Sequence, residues 1–114
     1  MALPVLYKNP IPFNAEVVGL RQLKSRGDYF FARDAHQVPA YAHEFSIGCM
    51  HYPIVFVYDG DGVVMPLFLL GFREGENRFV DHAGQWLVDY VPAYVRRYPF
   101  VLEENGRDDP SVWI

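Results

Sequence analysis

Five residues in one short segment have side chains that could bind a metal ion or activate a nucleophile: His36, His43, Glu44, Cys49 and His51. Glu44 and His51 would share a helix face but lie about 10 Å apart along it, too far to bind one ion together. The chain contains no pair of histidines or cysteines at the spacing of a structural zinc site, so we predict no metal and no cofactor. We expect Cys49 on an apolar helix face, where a thiol stays protonated, and a Cys–His nucleophile remains the alternative.

The run Asp-Gly-Asp-Gly at 59–62 superficially resembles a calcium-binding loop. Such a loop needs a bidentate Glu at its last ligand position, and that place is taken by Leu70. β-Branched and aromatic residues lie on both sides of the run, at Ile54–Tyr58 and at 63–72. The pattern therefore predicts a tight turn between two strands rather than an ion site.

Four arginines could form a site for an anion or a protein partner: Arg73, Arg78, Arg96 and Arg97. A guanidinium binds carboxylates and phosphates through two parallel hydrogen bonds. Arg96 and Arg97 also close a predicted helix, where positive charge complements the helix dipole, and we take this structural role as the default. Trp86, Tyr90 and Tyr94 would add an aromatic wall if that helix extended back to Trp86. These seven residues are the predicted binding residues.

Composition argues against several classes of function. A net charge of −4 disfavours nucleic acid as a partner, because phosphates require a basic surface. The single cysteine excludes an intrachain disulfide. The first nine residues lack the apolar core of a secretory signal, and the longest apolar run, 63–70, is far shorter than a membrane span. From these features we expect a cytoplasmic protein without a transmembrane segment.

The elements that position these residues are predicted to be short strands and two helices that begin at proline. One helix should begin at Pro39, with an apolar face that includes Phe45, and end before Pro53. The second should begin at Pro92 and end at Pro99. Aromatic residues make up 17% of the chain, and we expect them to form a core rather than an exposed stacking platform for sugars. The fold class is therefore α+β, with a small, mostly antiparallel sheet.

Several strands and one turn complete this prediction. The strand at 63–72 is apolar on both faces and should be central, with a bulge at Pro66. Short strands are predicted at 28–33, 78–81, 100–102 and 111–114, with a hairpin signal at 105–106, whereas 16–24 is ambiguous. Because the chain stops on an apolar strand, we expect Ile114 to lie on an exposed edge or to pair with another chain. We also expect a single domain, 1–114, that is a portion of a longer protein.

The stretch 90–100, Tyr-Val-Pro-Ala-Tyr-Val-Arg-Arg-Tyr-Pro-Phe, resembles the bacterial SapC family. Three further blocks resemble the family in the same order, at 7–10, 52–56 and 71–86. The family is typically longer, so the resemblance is to its N-terminal half, and Val17 and Val18 stand where members often carry a histidine. The resemblance implies an association with the surface layer, from which the family takes its name, and brings no catalytic residues.

These observations favour a SapC-like protein that acts by binding or assembly, linked to the cell envelope, the surface layer or nutrient uptake. A protein partner or self-association is expected. Two alternatives stay open. One is an enzyme or small-ligand binder whose site is completed by further residues or a second subunit. The other is a carbohydrate-binding module that uses Trp86, Tyr90 and Tyr94.

Overall fold

The computed structural model describes residues 6–7, 9–14, 27–103 and 111–114 and contains two small antiparallel sheets. The first sheet has three strands in the order β1-β3-β2, and the second pairs β4 with β5. The strands are β1 (Gln37–Pro39), β2 (Ile54–Tyr58), β3 (Val64–Leu69), β4 (Val101–Glu103) and β5 (Ser111–Trp113). Two short helices are present, α1 (Phe45–Gly48) and α2 (Ala93–Arg96), together with 3₁₀ turns at Phe30–Ala32 and Ala42–Glu44. The predicted α+β class is confirmed.

The β2–β3 hairpin forms as the sequence predicts. Asp59 Oδ1 accepts hydrogen bonds from the backbone N–H groups of Asp61 (2.8 Å) and Val63 (3.2 Å). Gly60 and Gly62 have φ values of 96° and 81°, which side chains disfavour and glycine tolerates. The carboxylate of Asp59 therefore holds a turn, and the hairpin brings two apolar strands together in register.

β3 is the central strand, as its two apolar faces indicate, but the bulge predicted at Pro66 does not occur. Pro66 lies opposite Phe56 in an uninterrupted register. The bonds from Asp59 N to Val63 O and from Leu69 N to Pro53 O make every second pair a hydrogen-bonded one. By this alternation, Pro66 belongs to a pair that exchanges no hydrogen bonds with β2, so the β2–β3 ladder needs no N–H there. On its other side, Pro66 O accepts from Ala40 N at 3.0 Å, one residue past the end of β1.

The C-terminal strand is covered on both sides, and the prediction for Ile114 is wrong. One side of β5 pairs with β4. On the other side, Ile11 and Ile114 exchange two backbone hydrogen bonds of 2.9 Å, and Phe13 N donates to Val112 O at 2.8 Å. The N-terminal segment 11–13 thus supplies the pairing that was expected from another chain. Prolines on both sides of Ile11 favour an extended backbone, but they do not indicate which strand the segment pairs with.

The first predicted helix begins later and buries a different face than expected. Pro39 ends β1 instead of opening a helix, and Cys49 is exposed rather than buried. The buried positions are Glu44 and Gly48, one turn apart. A Cβ atom on Gly48 would lie 2.3 Å from Phe68 Cζ, so only glycine permits this contact with the sheet. Close approach to Phe68, not apolar periodicity, selects the packed face.

Two predicted strands are absent from the described residues. The segment 28–33 contains the 3₁₀ turn Phe30–Ala32, and 78–81 contributes one isolated bridge between Val80 and Trp86. Buried Asn77 explains this geometry, because its Nδ2 donates to Ala32 O at 3.0 Å while its Oδ1 accepts from Phe79 N at 2.8 Å. These bonds replace a strand ladder. The predictions for 16–24 and 105–106 lie outside the described residues.

The core is largely aromatic, as the composition predicts. Tyr52 and Phe68 are 2% and 0% exposed, and their ring centroids lie 5.3 Å apart. Phe79 packs edge-to-face on Tyr52 at 4.7 Å and stacks on Trp86 at 6.2 Å. The aromatic core fixes α2 and the turn before it against the first sheet.

No helix among the described residues is long and apolar enough to cross a membrane.

Candidate functional site

Glu44 is a buried carboxylate that connects the two helical regions. It is 1% exposed, and its oxygens accept three hydrogen bonds. Oε2 accepts from Tyr41 N at 3.0 Å, and Oε1 accepts from Tyr90 OH at 2.6 Å and from Ala93 N at 3.0 Å. A buried charge is tolerated when its lone pairs are satisfied in this way. Glu44 therefore ties the start of α2 to the turn before α1.

Tyr90 places its hydroxyl between this carboxylate and an arginine. Arg96 Nη2 lies 3.4 Å from the Tyr90 hydroxyl, and Arg96 Nε donates to Val91 O at 2.9 Å. The Arg96 guanidinium also lies 5.4 Å from the centre of the Tyr90 ring. The hydroxyl thus bridges Glu44 and Arg96 by one hydrogen bond to each, and these two residues form no direct ion pair.

Arg97 is surrounded by tyrosines. Its Nη1 donates to Tyr41 OH at 3.2 Å, and its guanidinium lies 4.0 Å from the Tyr94 ring centre and 5.9 Å from that of Tyr7. Its Nε is buried with no hydrogen-bond partner in the structure. Within the described part of the chain, no carboxylate forms an ion pair with Arg97. Aromatic faces stabilise this cation in place of an acid.

Together these contacts form one connected cluster, which we call the tyrosine–arginine network. It consists of the residues just described: Tyr7, Tyr41, Glu44, Tyr90, Tyr94, Arg96 and Arg97. Tyr41 links its two halves, because its N–H binds Glu44 and its hydroxyl binds Arg97. The network spans α2, the turn before α1 and the N-terminal segment.

Burial raises the pKa of three tyrosines in the network, Tyr7, Tyr90 and Tyr94. Burial raises the pKa of Tyr94 to about 12, although Arg97 opposes this shift. Burial also raises the pKa of Tyr7 and of Tyr90, and for Tyr90 the hydrogen bond to Glu44 adds to the rise. For Arg97, burial lowers the pKa, but the neighbouring tyrosine hydroxyls outweigh it and the net pKa is raised. These tyrosines are therefore hydrogen-bond donors at neutral pH and poor general bases.

Four of the seven predicted binding residues lie together in the network: Tyr90, Tyr94, Arg96 and Arg97. The other three, Arg73, Arg78 and Trp86, lie outside it. Trp86 donates its indole N–H to Tyr52 OH at 2.8 Å and lies in the aromatic core. Helix α2 begins at Ala93, so no single helix face carries Trp86 together with the tyrosines.

Arg73 and Arg78 lie in the turn region that follows β3. Arg78 Nη1 is 3.5 Å from Glu76 Oε1, and its guanidinium lies over the Phe72 ring at 5.4 Å. Both Arg73 and Arg78 are exposed. Neither of the Arg78 contacts involves α2.

Of the five residues considered for metal or nucleophile chemistry, only Glu44 belongs to the network. His43 stacks on Tyr41 at 5.9 Å, and His51 lies 6.1 Å from the Tyr52 ring. The exposed Cys49 thiol donates to Ser46 O at 3.5 Å. Across 6–7, 9–14, 27–103 and 111–114, no three His, Cys, Asp or Glu side chains come together as metal ligands.

Comparison with known families decides the identity. The family model described as SapC matches residues 18–114. This chain belongs to the SapC family. Searches of curated proteins and of solved structures found no match. The resemblance inferred from 90–100 is thus confirmed, and the match includes both sheets and most of the network.

A second feature of this SapC-family chain is an apolar surface on the β2–β3 hairpin, which we call the hairpin patch. Its side chains are exposed by 39% to 77%: Phe56 63%, Val57 39%, Tyr58 77%, Val63 55% and Val64 47%. β2 is an edge strand, because the sheet order is β1-β3-β2. The patch therefore combines exposed side chains with a backbone edge that no other described strand pairs with. Sequence analysis recognised both strands but did not indicate which one lies at the edge.

A third feature is a groove of about 490 Å³ between the N-terminal segment and the first 3₁₀ turn. One wall contains Phe31 and Tyr98, whose rings stack with centroids 4.1 Å apart at 9°. Arg33 and Asp34 supply charges of both signs at the rim, with Arg33 Nε and Asp34 Oδ2 4.0 Å apart. Such a groove can hold a small ligand against an aromatic wall.

Proposed function

We propose that this SapC-family protein acts by binding another protein chain through the hairpin patch, not by catalysis in the tyrosine–arginine network. The observation that carries the proposal is the exposure of Phe56 and Tyr58, at 63% and 77%, on an edge strand. Apolar side chains gain about 25 cal/mol for each Å² removed from water. Phe56, Tyr58 and Val64 share one face of the hairpin, and exposed apolar side chains gathered on one face are typical of interaction sites.

The backbone of β2 supports the same role. Native edge strands are commonly protected by charges, by proline or by a covering element. β2 contains none of these residues, since its sequence is Ile-Val-Phe-Val-Tyr. An added strand would pair with its backbone while side-chain pockets provide specificity, as in other cases of strand addition. β1, the opposite edge, is shorter, ends at Pro39 and contacts α2.

The network has a different role in this proposal. Its tyrosine hydroxyls and Glu44 oxygens bind one another and the backbone, which supports a structural function that holds α2 in place. The link to the cell envelope, the surface layer or nutrient uptake rests on family membership alone. In that setting, the hairpin patch would join the protein to an assembly partner.

Site-specific photo-crosslinking tests the proposal in cells that express the full protein. A benzophenone amino acid placed at Tyr58 should form a crosslink to a polypeptide, because this side chain is 77% exposed on the patch. The matched control is the same amino acid at Leu87, which is 59% exposed outside the hairpin. Mass spectrometry then identifies the crosslinked chain. Crosslinking at Leu87 equal to that at Tyr58, or none at Tyr58, would refute the proposal.

A second candidate function is the binding of a small ligand in the groove. The stacked pair of Phe31 and Tyr98 beside Arg33 supports it, since aromatic faces and a guanidinium together suit a planar anion. Thermal-shift screening of planar carboxylates tests this candidate. The Arg33→Ala variant should lose the stabilisation, whereas Arg73→Ala, an exposed arginine in another turn, should retain it. The carbohydrate alternative has less support, because Trp86 packs in the core.

A further inference from the structure

Within the described residues, Arg97 carries a positive charge that no carboxylate neutralises. The acid of the network, Glu44, uses its oxygens on three donors, none of which belongs to Arg97. The neighbouring phenols do not supply a negative charge either, because burial raises the pKa of Tyr7 and Tyr94 and both stay neutral at pH 7. With Arg96 included, the network holds two cations and one anion, inside a chain whose net charge is −4. One positive charge is therefore in excess at this place.

The hydrogen-bond donors of Arg97 are also incompletely satisfied. Nη1 donates to Tyr41 OH at 3.2 Å, whereas Nε is buried and has no acceptor among the described residues. Buried donors in native proteins rarely lack an acceptor, and one that does commonly marks a bound water or ion. An arginine binds a carboxylate or a phosphate with two parallel hydrogen bonds, from Nε and Nη2. The bond to Tyr41 is made at Nη1, outside this pair of donors.

Charge and surroundings favour a monocarboxylate as the anion rather than a phosphate or a polyanion. A phosphate group carries nearly two negative charges and is typically bound by several arginines, whereas one excess positive charge matches one carboxylate. The net charge of −4 repels polyanions. The guanidinium of Arg97 lies 4.0 Å from the ring centre of Tyr94 and 5.9 Å from that of Tyr7. Such aromatic surroundings suit a ligand with an apolar or aromatic body.

We infer that Arg97 binds a small monocarboxylate through Nε and Nη2, beside the rings of Tyr7 and Tyr94. The site is separate from the hairpin patch and does not depend on the proposed function. It also differs from the groove, because Arg33 lines the groove and Arg97 does not. Arg97 as a whole is half-buried, but its Nε is closed to solvent, so a neighbouring ring must shift when the carboxylate binds.

Nuclear magnetic resonance of the purified full chain tests the inference, with benzoate as the probe. Benzamide is the control ligand, because it has the same shape without the charge. Proton–nitrogen spectra record the Nε–H signals of arginine side chains, and the signal of Arg97 is assigned by triple-resonance experiments. Benzoate should shift this signal with a Kd of about 1 mM or tighter, and benzamide should not.

Three variants locate the bound benzoate, with binding followed by the shifts of backbone amide signals. Arg97→Lys keeps the charge but loses the paired donors, so it should weaken binding about tenfold or more. Arg73→Lys, the same change at an exposed arginine outside the network, should leave the affinity unchanged. Arg33→Ala, in the groove, should also retain it. Circular dichroism checks that each variant is folded.

A wild-type Arg97 signal that does not move up to about 20 mM benzoate overturns the inference, and so does an equal shift with benzamide. These two results need no variant, so they decide even if Arg97→Lys fails to fold. A folded Arg97→Lys chain with wild-type affinity overturns it as well. Binding that is lost in Arg33→Ala but kept in Arg97→Lys assigns benzoate to the groove and refutes the site at Arg97. Crosslinking at Tyr58 judges the proposed function separately.

Discussion

Replacing Glu44 with alanine should remove a large part of the stability of this protein. The substitution leaves three donors without their acceptor: Tyr41 N–H, Tyr90 OH and Ala93 N–H. A hydrogen bond to a charged group contributes about 1.5–3 kcal/mol, but bonds that share one acceptor are not additive. We therefore expect the free energy of unfolding to fall by about 3–5 kcal/mol, against a typical total of about 5–15 kcal/mol.

Urea denaturation followed by circular dichroism measures this loss. Glu44→Gln retains the size of the side chain and one acceptor oxygen but places an NH₂ group among donors, so it should cost about 1–3 kcal/mol. Glu74→Ala is the matched control, since Glu74 is exposed, and its effect should stay within about 0.5 kcal/mol. The order of stability should therefore be wild type and Glu74→Ala, then Glu44→Gln, then Glu44→Ala.

A double-mutant cycle with Tyr90→Phe isolates the contact at 2.6 Å between Tyr90 OH and Glu44 Oε1. The two residues should couple by about 0.5–3 kcal/mol. If Glu44→Ala costs less than about 1 kcal/mol, or if the coupling is zero, Glu44 does not hold α2 against the turn before α1 and the structural role given to the network is wrong.

Two further predictions concern the same network and the core. Arg97→Lys keeps the charge but loses the planar stacking on Tyr94 at 4.0 Å, so the free energy of unfolding should fall by about 1–2 kcal/mol. An equal effect of Arg33→Lys, at an exposed site, would contradict this. Burial raises the pKa of Tyr52 and Tyr94 from 10.0 to about 12, so the folded state keeps these protons longer than the unfolded state. Their stabilisation is complete below about pH 10 and is lost as pH rises towards about 12. Ultraviolet titration should detect a late phase that includes Tyr52 and Tyr94 and that loses one phenolate in Tyr52→Phe, and the absence of any late phase would refute it.

Local chemistry made the hairpin predictable. The turn at 59–62 needs an Asx side chain and two glycines, and each acts on residues within four positions along the chain. The start of α2 after Pro92 is equally local, because proline lacks only an N–H that a first turn does not use. The β4–β5 pairing also agrees with the predicted strands, since both contain residues with strong strand preference.

Long-range packing explains what the sequence could not reveal. Pro39 could open a helix or end a strand, and only its pairing opposite Leu67 decides between them. The expected strand at 28–33 gave way to a turn because Asn77 binds Ala32 O across 45 residues. A local pattern contains no information about a partner at such a distance.

The network shows the same limit at the level of single residues. Arg96, Arg97, Tyr90 and Tyr94 were singled out because they lie close together in sequence. Glu44 was considered only as a metal ligand, and its true partners are 46 and 49 residues away. The one available signal was its position three residues after Tyr41, where a carboxylate can reach back to a backbone N–H.

The pairing of 11–13 with β5 has a consequence for how the chain folds. The bridge between Pro12 and Trp113 joins positions 101 residues apart, that is, 113 minus 12. Closing a loop of that length costs roughly 4 kcal/mol of chain entropy, which no local contact offsets beforehand. This pairing should therefore form late, after the hairpin and the aromatic core. During synthesis, the segment 11–13 must wait for β5 to leave the ribosome. Pro12 has no backbone N–H to donate to another strand, which limits the pairing of this segment elsewhere until then.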